Sequence, residues 1–203
     1  MTPAEIIAQA YSIIDDPDGT IPPAEMEVHL QDVALHFSTE TKVMRTKQGV
    51  AYFAGRSVLT LPEDCHEIIR AIDSQGNELD VYSKADLPSR WEQETSALPT
   101  GYIRDFTGPE QITLYPSPTA GSTLTLYYVQ QHVIGGDILI PSRYHLSLVY
   151  GLASKALARS PNPEDQEKLA RFGAAYAEGI AAAQTQASKN FSSHTRRVRS
   201  HSF

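Results

Sequence analysis

The residues best placed for chemistry lie between Glu25 and His36, in the run Glu25-Met-Glu-Val-His-Leu-Gln-Asp-Val-Ala-Leu-His36. On a helix, Glu25, His29, Asp32 and His36 fall within about 60° of one another and share one flank. That donor set suits zinc or iron. A di-metal bundle, however, needs matching Glu and His pairs on a second helix, and no other helical stretch of the sequence offers them. A polar face, solvated or set between subunits, accounts for the same spacing, so no metal and no cofactor is expected.

Cys65-His66 puts a thiol beside an imidazole. Neighbours on a strand point to opposite faces, whereas a nucleophile and its base must meet in space. Cys65 therefore reads as a structural cysteine near the start of a strand. There is no G-x-S-x-G elbow, no phosphate-cradling glycine loop and no H-E-x-x-H. The acid pairs Asp15-Asp16 and Glu63-Asp64 fall in turns, where carboxylates solvate and cap. No catalytic residue is assigned, and the chain is not expected to be an enzyme. Ten tyrosines and Trp91 raise the possibility of a surface that stacks on sugars or bases. Tyr127 and Tyr128 point to opposite sides of one strand, so at least one enters the core. Trp91, in Leu87-Pro-Ser-Arg-Trp-Glu, reads as a loop anchor.

The segment from Lys189 to Phe203 differs from the rest. It holds Lys189, Arg196, Arg197 and Arg199 and no acid, while the remaining chain has 13 basic residues against 24 acids, a net of −11. An acidic body with a short basic end does not fit a general nucleic-acid binder. It fits a body with an attachment arm, in which arginines pair with acids and Phe191, Val198 and Phe203 are apolar anchors.

The elements that must position these residues follow from periodicity. Thr2-Pro3-Ala4-Glu5 forms a capping box that opens a helix carrying Ile6, Ile7, Ala10, Ile13 and Ile14. A second helix starts at Pro22-Pro23 and runs to about Thr39, with Met26, Leu30, Val33 and Phe37 as its stripe. Val28 and Leu35 fall nearly opposite, so this helix is apolar on two sides and is either sandwiched in the core or touches a neighbouring subunit; few helices in a short chain favour the second, with Val28, Leu35, His29 and His36 as the interface candidates. From Lys47 to Gln131 short alternating runs predict β structure. A hairpin is expected around Ala54-Gly55-Arg56, and a meander of Tyr102–Phe106, Gln111–Tyr115 and Ser122–Val129. A third helix begins near Pro141, and Ser160-Pro161 joins it to a fourth that ends near Ser188.

The expected fold is α+β: a four-helix cluster built from the N- and C-terminal helix pairs, with an inserted antiparallel β module and an extended C-terminal tail. The expected domains are 1–45 with 141–188, an inserted sandwich-like domain at 46–140, and an arm at 189–203. The single cysteine allows no intrachain disulfide. No stretch approaches the roughly 18 apolar residues of a membrane helix, and the N-terminus has no basic leader, so synthesis in a cytoplasm is expected.

Several of these pieces together resemble the head–tail adaptors of tailed bacteriophages. They are the short N-terminal helices, Leu61-Pro62-Glu63-Asp64 leading into a strand, the Tyr115-Pro116-Ser117-Pro118 turn, Ile140-Pro141-Ser142-Arg143-Tyr144-His145 opening a helix, and an alanine-rich last helix pair before a polar tail. The resemblance implies a structural virion protein at the head–tail interface, a homo-oligomeric ring, commonly of twelve copies, through which DNA passes without sequence-specific binding. It also implies a portal-docking arm comprising Lys189, Asn190, Phe191, Arg196, Arg197, Val198, Arg199 and Phe203. The β module would then face a tail nozzle or another tail protein. The rival reading is a virion-associated β domain that binds carbohydrate or a receptor.

Overall fold

The structure, a computed structural model, describes residues 1–16, 21–104, 108, 110–158, 160 and 162–192, with side chains through Lys189. Among these residues are four α-helices: α1 (Pro3–Ile14), α2 (Pro23–Thr41), α3 (His145–Leu157) and α4 (Pro163–Ser192). Nine strands lie between α2 and α3: β1 (Arg45–Tyr52), β2 (Val58–Thr60), β3 (Cys65–Ile72), β4 (Asp80–Tyr82), β5 (Thr95–Ser96), β6 (Gly101–Arg104), β7 (Gln111–Tyr115), β8 (Ser117–Pro118) and β9 (Ser122–Gln130). This is the α+β class. The chain divides into two compact units, Met1–Met44 with Gln131–Phe203, and Arg45–Gln130.

The helical unit begins as its first residues dictate. Thr2 Oγ1 accepts from the Glu5 N–H at 3.2 Å while Glu5 Oε2 accepts from the Thr2 N–H at 2.7 Å, so two otherwise orphaned donors are satisfied. Ile6, Ala10 and Ile14 are buried. Along α2 the stripe Met26, Leu30, Val33 and Phe37 is also buried. Small residues bring the C-terminal helix pair together. A Cβ on Gly179 would lie 2.3 Å from Ser147 Oγ, and one on Gly151 2.9 Å from the Tyr176 ring. Helix α4 runs four residues past its expected end at Ser188, so Lys189 to Ser192 are helical rather than extended. The stretch 131–140, expected with the β insert, packs into the helical unit. The His132 N–H donates to Ser38 Oγ at 2.8 Å, and Ile140 lies in the core with Met26, Phe37 and Leu148.

The described residues of the β unit form three small sheets, ordered β1-β9-β3, β2-β7-β6-β4 and β5-β8. The first two contribute to a single core of Tyr52, Leu59, Ile68, Tyr102, Ile112, Leu114, Leu124, Leu126 and Tyr128. The alternation of Leu124, Leu126 and Tyr128 along β9 is as the period of two predicts. Two expected pairings do not form. The 53–56 turn does not close a hairpin, because β1 pairs with β9 and β2 with β7. The Gly55 N–H instead donates to the Pro118 carbonyl at 2.7 Å. Of the expected meander, β6 and β7 pair antiparallel, but β9 leaves them for the other sheet, where it lies between β1 and β3. Most pairings are antiparallel, while β4·β6 and β5·β8 are parallel.

The turn after β3 is organised by one carboxylate. Asp73 Oδ1 accepts from the Gln75 and Asn77 N–H groups, each at 2.8 Å, and Oδ2 from the Asn77 side-chain amide at 3.0 Å. Burial pushes its acidity the other way, but the bonds from Asn77, Gln75 and Gly76 prevail and hold Asp73 below the usual carboxylate range. A depressed acid stabilises the fold fully above its unfolded value of about 4 and loses that contribution as pH falls through the lower folded value. Asp73→Asn should therefore lower stability at neutral pH by about 1–2 kcal/mol, the scale of charge-assisted hydrogen bonds. It should also remove part of the stability lost below about pH 4, as read from urea midpoints across pH.

Candidate functional site

The polar flank of α2 does not converge on a single point. His29 Nε2 lies 3.5 Å from Glu25 Oε1, Asp32 takes the Lys155 ammonium at 2.5 Å, and His36 Nδ1 meets the Tyr176 hydroxyl at 2.9 Å. The four residues thus serve three separate contacts, two of them to α3 and α4. Tyr176 also donates to the Val33 carbonyl at 3.3 Å. Burial, reinforced by the Glu40 carboxylate, raises its phenol well above the ordinary value. His36 is therefore exposed yet engaged within the subunit, and Leu35 is half-buried. Of the expected interface residues, Val28 is the open one, at 59% exposure.

Val28 lies in a groove of about 810 Å³ between the start of α1 and the first half of α2. Ile7, Ala24 and Ile134 give it apolar walls, and Glu27 stands at its side. One side chain shapes this groove. Gln31 Oε1 accepts from His132 Nε2 at 2.6 Å and from the Gly135 N–H at 2.9 Å, so the loop bearing Ile134 is tied to α2. Because the amide oxygen only accepts, His132 carries its proton on Nε2. Burial lowers its tendency to take a second proton. Neither Gln31 nor Ile134 stands out from periodicity. The available signal was an isoleucine immediately before Gly135-Gly136, an apolar residue in a turn.

In the β unit, Cys65 is half-buried and His66 exposed. Burial, with the Asp64 carboxylate adding and Arg104 subtracting, pushes the thiol up to about 11, which leaves it protonated and unreactive at neutral pH. Asp64 is instead structural: its two oxygens accept from the Tyr128 hydroxyl at 2.9 Å and the Gln130 amide at 2.7 Å. Tyr52, Trp91, Tyr102 and Tyr128 are buried. Tyr115 is held by Glu94 at 2.5 Å and packs edge-on to Tyr82, and Tyr127 lies under the Arg70 guanidinium. Among the described aromatic residues of this unit only Phe53 is exposed.

Of the expected arm, Lys189 is exposed on the last turns of α4, and Asn190 and Phe191 have helical backbone. Arg196, Arg197, Val198, Arg199 and Phe203 lie outside the described residues. No helix among the described residues is long and apolar enough to cross a membrane.

No curated protein matches the chain. A family model described as SU10 adaptor protein matches residues 1–199, which takes in both helix pairs, the whole β insert and most of the basic end. The match thus spans almost the full 203 residues, and the chain belongs to the SU10 adaptor protein family, a family of phage head-to-tail adaptors.

Proposed function

We propose that this protein works as a ring, of twelve copies, set between the portal and the tail, with DNA passing through its centre. The observation that carries the reading is the family match over residues 1–199. Two features support it physically. The body preceding Lys189 has a net charge of −11, and a channel wall of that sign repels phosphate rather than holding it. The arm that follows is free of acids and carries the arginines and apolar residues suited to docking on a larger partner.

In this reading Lys189, Asn190, Phe191, Arg196, Arg197, Val198, Arg199 and Phe203 bind the portal, and the β unit receives the nozzle or another tail protein. Val28, with Leu35, His29 and His36 behind it, belongs to the seam between subunits. The role is structural, at the head–tail interface of the virion, and involves no catalysis. The competing picture of a glycan-binding β domain requires exposed rings side by side, whereas among the described aromatics of the β unit Phe53 alone is exposed, Tyr82, Tyr115 and Tyr127 are half-buried and the others are buried.

The test is to image purified portal rings mixed with this protein by cryo-electron microscopy. The expected result is an added ring of density on the tail side of the portal, with the C-terminal arm ordered against it. Bare portals in the presence of excess protein would overturn the reading.

A further inference from the structure

We infer that the helical unit carries both halves of a head-to-tail contact between copies of this chain. The groove beside Val28 on one subunit receives the Leu139–Leu146 edge of the next. This rests on the ring reading above and adds which surfaces meet.

Among the described residues of the helical unit, and apart from the terminal Met1, the exposed large hydrophobic side chains form two sets. Val28 (59% exposed) and Ile134 (62%) sit in the concave groove. Leu139 (60%) and Leu146 (48%) flank the start of α3. His145 Nε2 donates to the Ile140 carbonyl at 2.8 Å, which ties the residue after Leu139 to the residue before Leu146. Phe37 and Tyr144 pack with ring centroids 5.5 Å apart, which sets this edge against the C-terminal half of α2. The groove uses the N-terminal half of α2. Val28 in the groove and Phe37 against Tyr144 are nine residues apart on α2, roughly 13 Å along its axis at 1.5 Å per residue.

Charge follows the same division. Glu27 is exposed at the groove, and Arg143 is exposed one turn before Leu146. Arg143 lies over the Tyr144 ring, and neither it nor Glu27 makes an ion pair among the described residues. Seating the edge of one copy in the groove of the next brings acid to base and covers four aliphatic side chains at once. An unrelated partner in the groove would leave the second patch unexplained, whereas a second copy accounts for both. Contacts between two different patches on identical subunits are head-to-tail, and they close into rings when the rotation permits.

The experiment is a charge swap read on protein assembled on portal rings. Glu27→Arg and Arg143→Glu should each weaken assembly about tenfold, and the double variant should restore it. In a Cys65→Ser background, mixing Val28→Cys with Leu146→Cys protein should give an oxidised cross-link in assembled material and none in unassembled material. Rings that form normally in both single variants, or that give no cross-link, overturn this inference and leave the adaptor reading intact. Wild-type protein that never assembles on portals overturns the ring reading and this inference with it.

Discussion

Gly151→Val should destabilise the helical unit by about 3 kcal/mol, near the upper end for overpacked cores. The reason is the tightness of the place where α3 crosses α2 and α4. A Cβ at position 151 would lie 2.8 Å from Val33 Cγ1 and 2.9 Å from the Tyr176 ring. Neither neighbour has room to retreat. Val33 is buried, and Tyr176 is fixed by its contacts with His36 and the Val33 carbonyl and by packing 6.3 Å from the Phe37 ring. Replacing glycine in a helix interior ordinarily gains about 1 kcal/mol for alanine and less for β-branched valine, so the steric term outweighs the backbone term. Gly151→Ala should fall between wild type and valine, and pairing it with Val33→Ala should recover part of the loss. Thermal or urea denaturation decides it: a melting point equal to or above wild type in the valine variant would show that the helices move apart at little cost.

The second large effect is on binding alone. Removing residues 190–203 should leave the melting point of the body unchanged while reducing retention on portal rings about a hundredfold. That is the scale expected when a few buried anchors and charge-assisted arginine contacts carry an interface. The segment removed contains three arginines and three of the apolar residues assigned to docking, Phe191, Val198 and Phe203. Replacing Arg196, Arg197 and Arg199 together by alanine should give a smaller loss, and one that depends on ionic strength. A truncated protein that still binds portals as wild type would locate portal docking elsewhere on the body. The chain would remain an adaptor, and the arm would have another task.

Some of this architecture is legible in the sequence because its causes are local. The capping box at Thr2 to Glu5, the buried stripe from Met26 to Phe37 and the alternation along β9 each rest on residues within a few positions of one another. Strand partnership has no such local cause. β1 and β9 are separated by most of the β unit, yet they pair over eight positions from Arg45↔Val129 to Tyr52↔Ser122. The turn at Ala54-Gly55-Arg56 looked like a hairpin because a glycine between two apolar runs has the right local chemistry. What overrides it is the backbone pairing of β9, whose two edges take β1 on one side and β3 on the other while Leu124, Leu126 and Tyr128 enter the core. The candidate surfaces divide in the same way. The opposite-face position of Val28 follows from helical geometry, whereas the groove around it depends on Gln31 holding a loop a hundred residues away in the chain. The Gly-rich turn at Ile134 gives no local sign of that bond.

The pairing of Arg45 with Val129 also bears on the order in which the molecule forms. The chain leaves the helical unit after Met44 and returns to it at Gln131, and these points are brought together as soon as β1 closes on β9. Before that closure, α3 and α4 search for α1 and α2 from the far end of a long loop. Afterwards they search across a junction a few residues wide, and by loop-closure entropy the difference is roughly 2–3 kcal/mol. The inserted strands thus act as a clasp for the helices that flank them, and a slip in the β1·β9 register would delay the whole helical unit rather than the β unit alone.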